Sequence, residues 1–364
     1  MGEPFKNLVS KKVVDKLAAD IKVYYESFQT NEFIQSIIDE TWESLELKQR
    51  VNRIAENLKK YLPQDYKEAI SIIDKVIASY GNWLEEFCWF FPSFVELYGL
   101  DDENWDISIG AMARYTKHSS AEFAVRPFIV KNQTKMMAQM YEWSKSDCEH
   151  VRRLSSEGCR PALPWGMGIP NLKKDPTPVL PILEQLKNDP AIYVRKSVAN
   201  NLNDISKTHP EIVIKVAKEW YGKNKELDWI VKHGCRTLLK KGNREVLALF
   251  GCDDTDSVEV SDFAIEQKAI SIGEDIIFSF TLKAKKAIKV RLEYGVDYVK
   301  ATGKTSQKVF KISEILLKEA EVKTYTRKHS FEDVSVRKHY PGIHGITLIV
   351  NGNPQGKLEF ELKK

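Results

Sequence analysis

Over the first 250 positions apolar residues recur at spacings of three and four. The stretches "VVDKLAADIKVYY", "NEFIQSIIDETWESL", "KQRVNRIAENLKKYL" and "YKEAISIIDKVIASY" each carry such a stripe, which predicts amphipathic helices. Short breaks such as "LPQD" and "YGLDDEN" separate them. Helix joined to helix by short loops implies a bundle or an α-solenoid. Near Gly251 the pattern changes. "GCDDTDS" is polar, and alternation follows in "SVEVSDFAIEQ", "IIFSFTL", "IKVRLEY", "KVFKISE", "VKTYTRK", "ITLIVNG" and "KLEFELK". Seven short alternating strands predict an immunoglobulin-like sandwich, with "NGNP" as the turn before the last strand. No Cys…Trp…Cys spacing accompanies it. The expected organisation is mainly α, with a helical domain over 1–250 and an all-β domain over 256–364.

Internal similarity favours the solenoid. "HVRRLSSEGCRP" (150–161), "YVRKSVANNLND" (193–204) and "WIVKHGCRTLLK" (229–240) each open with a ring residue and an apolar one, then turn basic and small. Val151 and Val194 lie 43 positions apart, and Tyr193 and Trp229 lie 36 apart. A helical segment precedes the second and third copies, "PTPVLPILEQLKND" and "HPEIVIKVAKEWYG". Helix pairs at this period read as HEAT-like repeats. The second helices of such an array line its concave face. That places Arg152, Arg153, Arg160, Arg195, Lys196, Lys232 and Arg236 there.

Charge sharpens this picture. The 364 residues carry a net +4, but residues 1–109 hold −8, residues 110–250 hold +10 and the rest +2. A basic middle third is the usual footprint of a polyanion site, although a merely solvated basic face has the same composition. The N-terminus "MGEPFKNLVSKK" has no apolar core of a signal peptide. No apolar run approaches the ~18 residues of a membrane span. The five cysteines include no CxxC pair, which points to a reducing cytosol, with neither disulfides nor zinc. Phosphate-binding loops, HExxH and GxSxG are all missing.

Three carboxylates stand out in the basic third. Glu122, in "HSSAEFAVRPF", falls inside the first turn of an expected helix capped by Ser119 or Ser120, where an acid also suits the helix dipole. Glu157 sits between Arg153 and Arg160 at helical spacing, which also suits a plain ion pair. Asp204 closes "NNLND", where it also suits a cap on the next helix. Acids weaken binding to phosphates. They make sense where positive charge develops on the substrate, as on the sugar during N-glycosidic cleavage.

Long ordered motifs carry a resemblance over nearly the whole chain: "EPFKNLVS", "HSSAEFAVRPFI", "HVRRLSSEGCRPALPWG", "DPAIYVRKSVANNLNDISKTHP" and "TRKHSFEDVSVRKHYPGIHGITLIVNG". The chain resembles the AlkC group of bacterial DNA alkylation-repair glycosylases, relatives of the AlkD group, which lacks the added sandwich. The resemblance implies a monofunctional, metal-independent glycosylase of base excision repair. Such an enzyme removes bases of the 3-methyladenine, 3-methylcytosine and 1-methyladenine class from double-stranded DNA without deep base flipping. It implies catalytic roles for Glu122, Glu157 and Asp204, and a contact of Trp165 with the lesion's sugar. The DNA-binding candidates are the seven repeat residues above with Arg126 and Lys207, and Arg327, Lys328, Arg337 and His339 of the sandwich. No cofactor is expected. The expected state is a cytoplasmic monomer working on DNA. The competing expectations are a non-catalytic nucleic-acid scaffold and a protein-binding adaptor.

Overall fold

A computed structural model describes residues 4–80, 87–334 and 337–364. It forms two compact units, Met1–His209 with Trp220–Gly234, and Pro210–Glu219 with Cys235–Lys364. The short helices from Cys235 onward thus belong with the sandwich, although the periodicity groups them with the preceding helices.

The first unit is a helical repeat. Its helices are α1 (Lys11–Tyr24), α2 (Thr30–Ile37), α3 (Leu47–Tyr61), α4 (Tyr66–Ala78), α5 (Phe90–Tyr98), α6 (Trp105–Tyr115), α7 (Val125–Lys131), α8 (Gln133–Trp143), α9 (Glu149–Glu157), α10 (Pro170–Lys174), α11 (Leu180–Leu186) and α12 (Ile192–Ile205). After α13 (Pro210–Trp220), most of which groups with the second unit, α14 (Lys225–Gly234) completes it. Local chemistry sets the ends. The Asp65 carboxylate accepts the Glu68 N–H at 2.8 Å and starts α4, whose Ile70, Ile73, Val76 and Ile77 are buried. Glu46 and Gln49 form a reciprocal capping box on α3. The expected long helix through "NEFIQSIIDETWESL" stops early, at Ile37. There the Asp39 side chain captures the Thr41 N–H (2.9 Å) and hydroxyl (2.6 Å), a local turn that competes with the helix.

Helix α12 packs between α9 and α14, so the second helices of the repeat copies are neighbours. His150 and Tyr193, which open two of those copies, meet edge-on with centroids 5.8 Å apart. The third copy is broken. Its helix ends at Gly234, and Arg236–Lys240 forms a separate short helix, α15.

Among the described residues the second unit sets α15 and α16 (Arg244–Leu249) beside eight strands. These are β1 (Val258–Ile265), β2 (Ala269–Ser271), β3 (Asp275–Ala284), β4 (Ile288–Val299), β5 (Thr305–Leu317), β6 (Val322–Ser330), β7 (Gly342–Val350) and β8 (Asn353–Lys363). Two sheets, β1-β3-β6 and β2-β8-β7-β4-β5, enclose a core that includes Phe278, Phe280, Leu292, Phe331, Ile346 and Phe360. Seven strands are expected from the alternation. The eighth, β2, runs parallel to β8 and is only three residues long, too short to show a period of two. The "NGNP" turn is a two-residue hairpin: Val350 pairs with Asn353, and Asn351 and Gly352 both have positive φ, 48° and 76°. Asn351 is fully buried, and its side chain binds the Arg291 N–H and the Asp254 carbonyl. No helix among the described residues is long and apolar enough to cross a membrane.

Candidate active site

The arginines around Glu157 hold acids. Helix α9 ends at Glu157, and one turn either way lie Arg153 and Arg160. Arg160 Nη1 meets Glu157 Oε1 at 2.6 Å, and Arg153 Nη2 meets the same oxygen at 3.7 Å. Arg153 Nη1 also reaches Glu122 Oε2 at 2.8 Å, and Arg160 Nε reaches Asp204 Oδ2 at 2.8 Å. Lys207 Nζ closes the row on Asp204 Oδ1 at 2.8 Å. The order is Glu122, Arg153, Glu157, Arg160, Asp204, Lys207, with signs alternating throughout. Each arginine serves two acids, so no buried carboxylate faces the low dielectric alone.

Three stretches of chain assemble this row. Glu122 comes from the turn before α7, and Ser120 Oγ donates to its Oε2 at 2.7 Å. It does not lie inside the helix as expected. Helix α7 begins at Val125, and its N-cap position, Ala124, offers no side-chain hydrogen bond. Asp204 lies within α12 and caps no following helix. The approach of α9 to α12 depends on small polar residues. Ser156 Oγ and Ser197 Oγ are 2.9 Å apart, and Asn201 Nδ2 donates to the Ser156 carbonyl at 2.8 Å. Beside them a Cβ on Gly158 would come within 2.5 Å of Val125. These contacts bring Glu157 and Asp204 to opposite sides of one guanidinium.

The electrostatics follow. Burial opposes the charge on Arg153, but Glu122 and Glu157 outweigh it and hold the guanidinium above its ordinary value. Burial likewise works against Arg160, and Asp204 and Glu157 overcome it. The Asp204 side chain is 1% exposed and that of Lys207 45% exposed, so the cover over Asp204 is itself at the surface. Tyr193, which the sequence reading missed, lies beneath Arg153, whose guanidinium carbon is 4.6 Å from the ring centre. Its signal was present: a ring residue opens each repeat copy.

The remaining basic candidates divide by repeat position. Arg152 and Arg195 hold the third position of their copies and do the same local work. Arg152 Nη1 donates back to the carbonyls of Ser146 and Asp147, both at 2.9 Å. Arg195 Nη1 donates back to those of Asp189 and Pro190, at 2.6 and 2.9 Å. Arg152 also grips the buried Asp189 carboxylate with Nε and Nη2 at 2.5 and 3.1 Å. These two arginines staple the loops that precede α9 and α12. The fourth position holds Arg153 of the row, the exposed Lys196 and the half-buried Lys232. Arg236 is half-buried in the second unit. Arg126, expected at a phosphate, is fully buried and binds backbone carbonyls instead.

Trp165 is 66% exposed and has φ 63°, a conformation rare for a bulky residue. Lys48 donates to its carbonyl and lies 4.2 Å from the Phe123 ring centre.

In the sandwich, Lys328 is exposed and paired with Asp275 at 2.8 Å. Arg327 is half-buried, with its guanidinium carbon 5.2 Å from the Tyr325 ring centre. Arg337 donates to the Tyr298 hydroxyl at 3.2 Å. His339, expected at DNA, is buried against Phe331 and Tyr298 and bonded to Asp333 at 3.0 Å. Its ring is part of the core and is not available to a backbone phosphate. Among the described residues no group of histidines, cysteines and acids is arranged to hold a metal ion.

Comparison with known proteins gives these features a context. Residues 115–238 match the family model described as DNA alkylation repair enzyme, and residues 259–364 match the C-terminal Ig-like domain of uncharacterised protein YhaZ. The uncharacterized protein YhaZ of Bacillus subtilis (strain 168) is 47% identical over 357 residues, covering 98% of this chain and 99% of that one. The solved structure of Pseudomonas fluorescens alkylpurine DNA glycosylase AlkC, bound to DNA containing an abasic site analog, superposes with a TM-score of 0.93. It is 34% identical, with 100% of both chains covered. The chain belongs to the AlkC-like group of the DNA alkylation repair family.

Proposed function

We propose that this protein is a monofunctional DNA glycosylase that hydrolyses the N-glycosidic bond of N-alkylated bases in double-stranded DNA. Its substrates are of the 3-methyladenine, 3-methylcytosine and 1-methyladenine class. The row of three carboxylates held by two shared arginines carries this reading. The full-length likeness to an alkylpurine glycosylase supports it.

The chemistry needs little else. An alkylated, cationic base leaves readily, and positive charge grows on the departing sugar. Fixed carboxylates in a poorly solvated site stabilise that charge without reorganising. The arginines hold them in place by ion pairs. Asp204 and Glu157 flank C1′, and one of them positions the attacking water. Glu122 tunes Arg153 and holds water. In the free protein Lys207 covers Asp204. A DNA phosphate draws that lysine aside and bares Oδ1 to the sugar. Trp165 presses on the lesion's sugar, and the base stays in or near the stack. The helical unit acts as a HEAT-like cradle, with Lys196 and Lys207 on phosphates and Arg327 and Arg337 adding contacts from the sandwich. No metal or cofactor takes part, and the enzyme works as a cytosolic monomer.

The test is incubation with methylated duplex DNA in EDTA, with freed bases identified by mass spectrometry and the strand checked for nicks. The reading predicts free methylated base and an intact abasic strand. Tight binding without release leaves a non-catalytic scaffold.

A further inference from the structure

Residues 158–168 link the acid row to Trp165, and one guanidinium fills the inside of that loop. Arg126, on α7, is 0% exposed. Its Nη1 donates to the carbonyls of Gly158 and Arg160, both at 2.9 Å, and its Nε donates to that of Met167 at 2.5 Å. Nη2 is buried with no hydrogen-bond partner. The first two carbonyls lie at the row end of the loop: Arg160 is the residue shared by Glu157 and Asp204. The third lies two residues past Trp165. The fit is close. A Cβ on Gly166 would stand 3.2 Å from Arg126 Nε and 3.3 Å from its Cδ, tighter than ordinary van der Waals contact. Burial lowers the Arg126 pKa to about 10, with Cys159 opposing and Arg160 adding to the shift, so it remains charged at neutral pH.

A buried cation among neutral carbonyls is a costly way to pin a loop. Its fork matches what the loop needs, since three carbonyls facing different directions are met by one rigid group. Outside the loop, Lys48 holds the Trp165 carbonyl. Between the two cations Trp165 keeps its positive φ while its ring stays in solvent.

We infer that Arg126 is a positioning residue for base release: it touches no DNA, and it sets Arg160 and Trp165 at a fixed distance from each other. The inference rests on the glycosylase reading for its assay.

The experiment compares wild type, Arg126→Lys and Gly166→Ala in single-turnover base release at saturating methylated DNA. Binding of each is measured across a salt series, and thermal melting monitors folding. The expected result is a release rate about 10–100-fold lower for Arg126→Lys, whose single ammonium cannot span three carbonyls, with an unchanged salt slope. Gly166→Ala, which keeps every charge but crowds Arg126, should lose several-fold. A double-mutant cycle with Trp165→Ala should show coupling, so that Arg126→Lys costs much less once the indole is gone. A salt slope shallower by ~0.9 in a further variant, Arg126→Gln, which removes the charge that lysine keeps, would make Arg126 a phosphate contact and overturn the inference. Wild-type rates in both Arg126→Lys and Gly166→Ala would overturn it too, leaving Arg126 as packing alone. If Arg126→Lys fails to fold, Gly166→Ala and its cycle with Trp165→Ala decide. Absence of release by wild type would instead sink the glycosylase reading.

Discussion

Two buried arginines in this molecule do opposite things with similar bonds. In the sandwich, Arg291 on β4 meets Glu293 Oε1 at 2.5 Å and Glu314 Oε1 at 2.7 Å. In the helical unit, Arg160 meets Glu157 and Asp204 at 2.6 and 2.8 Å. Each guanidinium is shared by two acids, and each is raised in pKa by them against the cost of burial. The bonds alone therefore do not mark a site. The surroundings do. Arg291 and its acids sit on adjacent antiparallel strands of one sheet, β4 and β5, whose pairing shifts register between Leu292 and Glu293. The Arg160 cluster collects three separate segments, continues into a third acid, and ends on a half-exposed lysine. It also borders a loop with a strained, exposed tryptophan. An ion pair that only stabilises needs none of these. Charges prepared for a substrate need an open end and a way to be uncovered.

Substitutions separate the two arginines. The largest effect should come from Glu157→Gln, which removes the acid shared by Arg153 and Arg160. Single-turnover base release should fall by about 10²–10³, while DNA binding stays equal or tightens because one repulsive charge is gone. Arg291→Met should lower stability by roughly 3 kcal/mol in denaturant melts, since it leaves Glu293 buried and unpaired, with release by the folded protein unchanged. Loss of release in Arg291→Met while the protein is still folded would break the contrast. Lys196→Ala should leave the release step alone and flatten the salt slope of binding by ~0.9. A smaller effect is expected of the buried His329. Both ring nitrogens lie within hydrogen-bond reach of tyrosine hydroxyls, Tyr294 at 2.9 Å and Tyr298 at 2.6 Å. Burial, helped by Arg337, lowers its pKa from 6.5 to about 4. The unfolded chain therefore binds a proton that the fold refuses. The stability from neutral His329 is complete above pH 6.5 and lost as pH falls toward 4. His329→Gln should flatten the melting-temperature profile over that interval.

The periodicity carries most of this fold because most elements bury one face, although β4 and β7 are buried on both. It misses features set by short-range chemistry, such as the Asp39 turn that ends α2 early and the three-residue β2. The acid row was partly legible. The spacing of Arg153, Glu157 and Arg160 implies an ion pair on one helix, and the structure contains it. The joining of Arg160 to Asp204 across two repeats depends on the Ser156–Ser197 seam, which no local pattern announces. The basic residues misled most. A lysine or arginine reads alike in sequence whether it faces water, staples a loop as Arg152 and Arg195 do, or lies buried like Arg126. Repeat position would have helped, since the third position is the local staple in both intact copies.

The central claim is that Asp204 acts on the sugar and is more than the counter-ion of Arg160. The direct measurement is single-turnover base release from methylated duplex DNA by wild type and Asp204→Asn, with the affinity of each for that DNA. The amide keeps the shape of the side chain and removes its charge. The account predicts equal or tighter binding with release slowed by at least about 10². Equal release rates with both proteins folded and bound would contradict it.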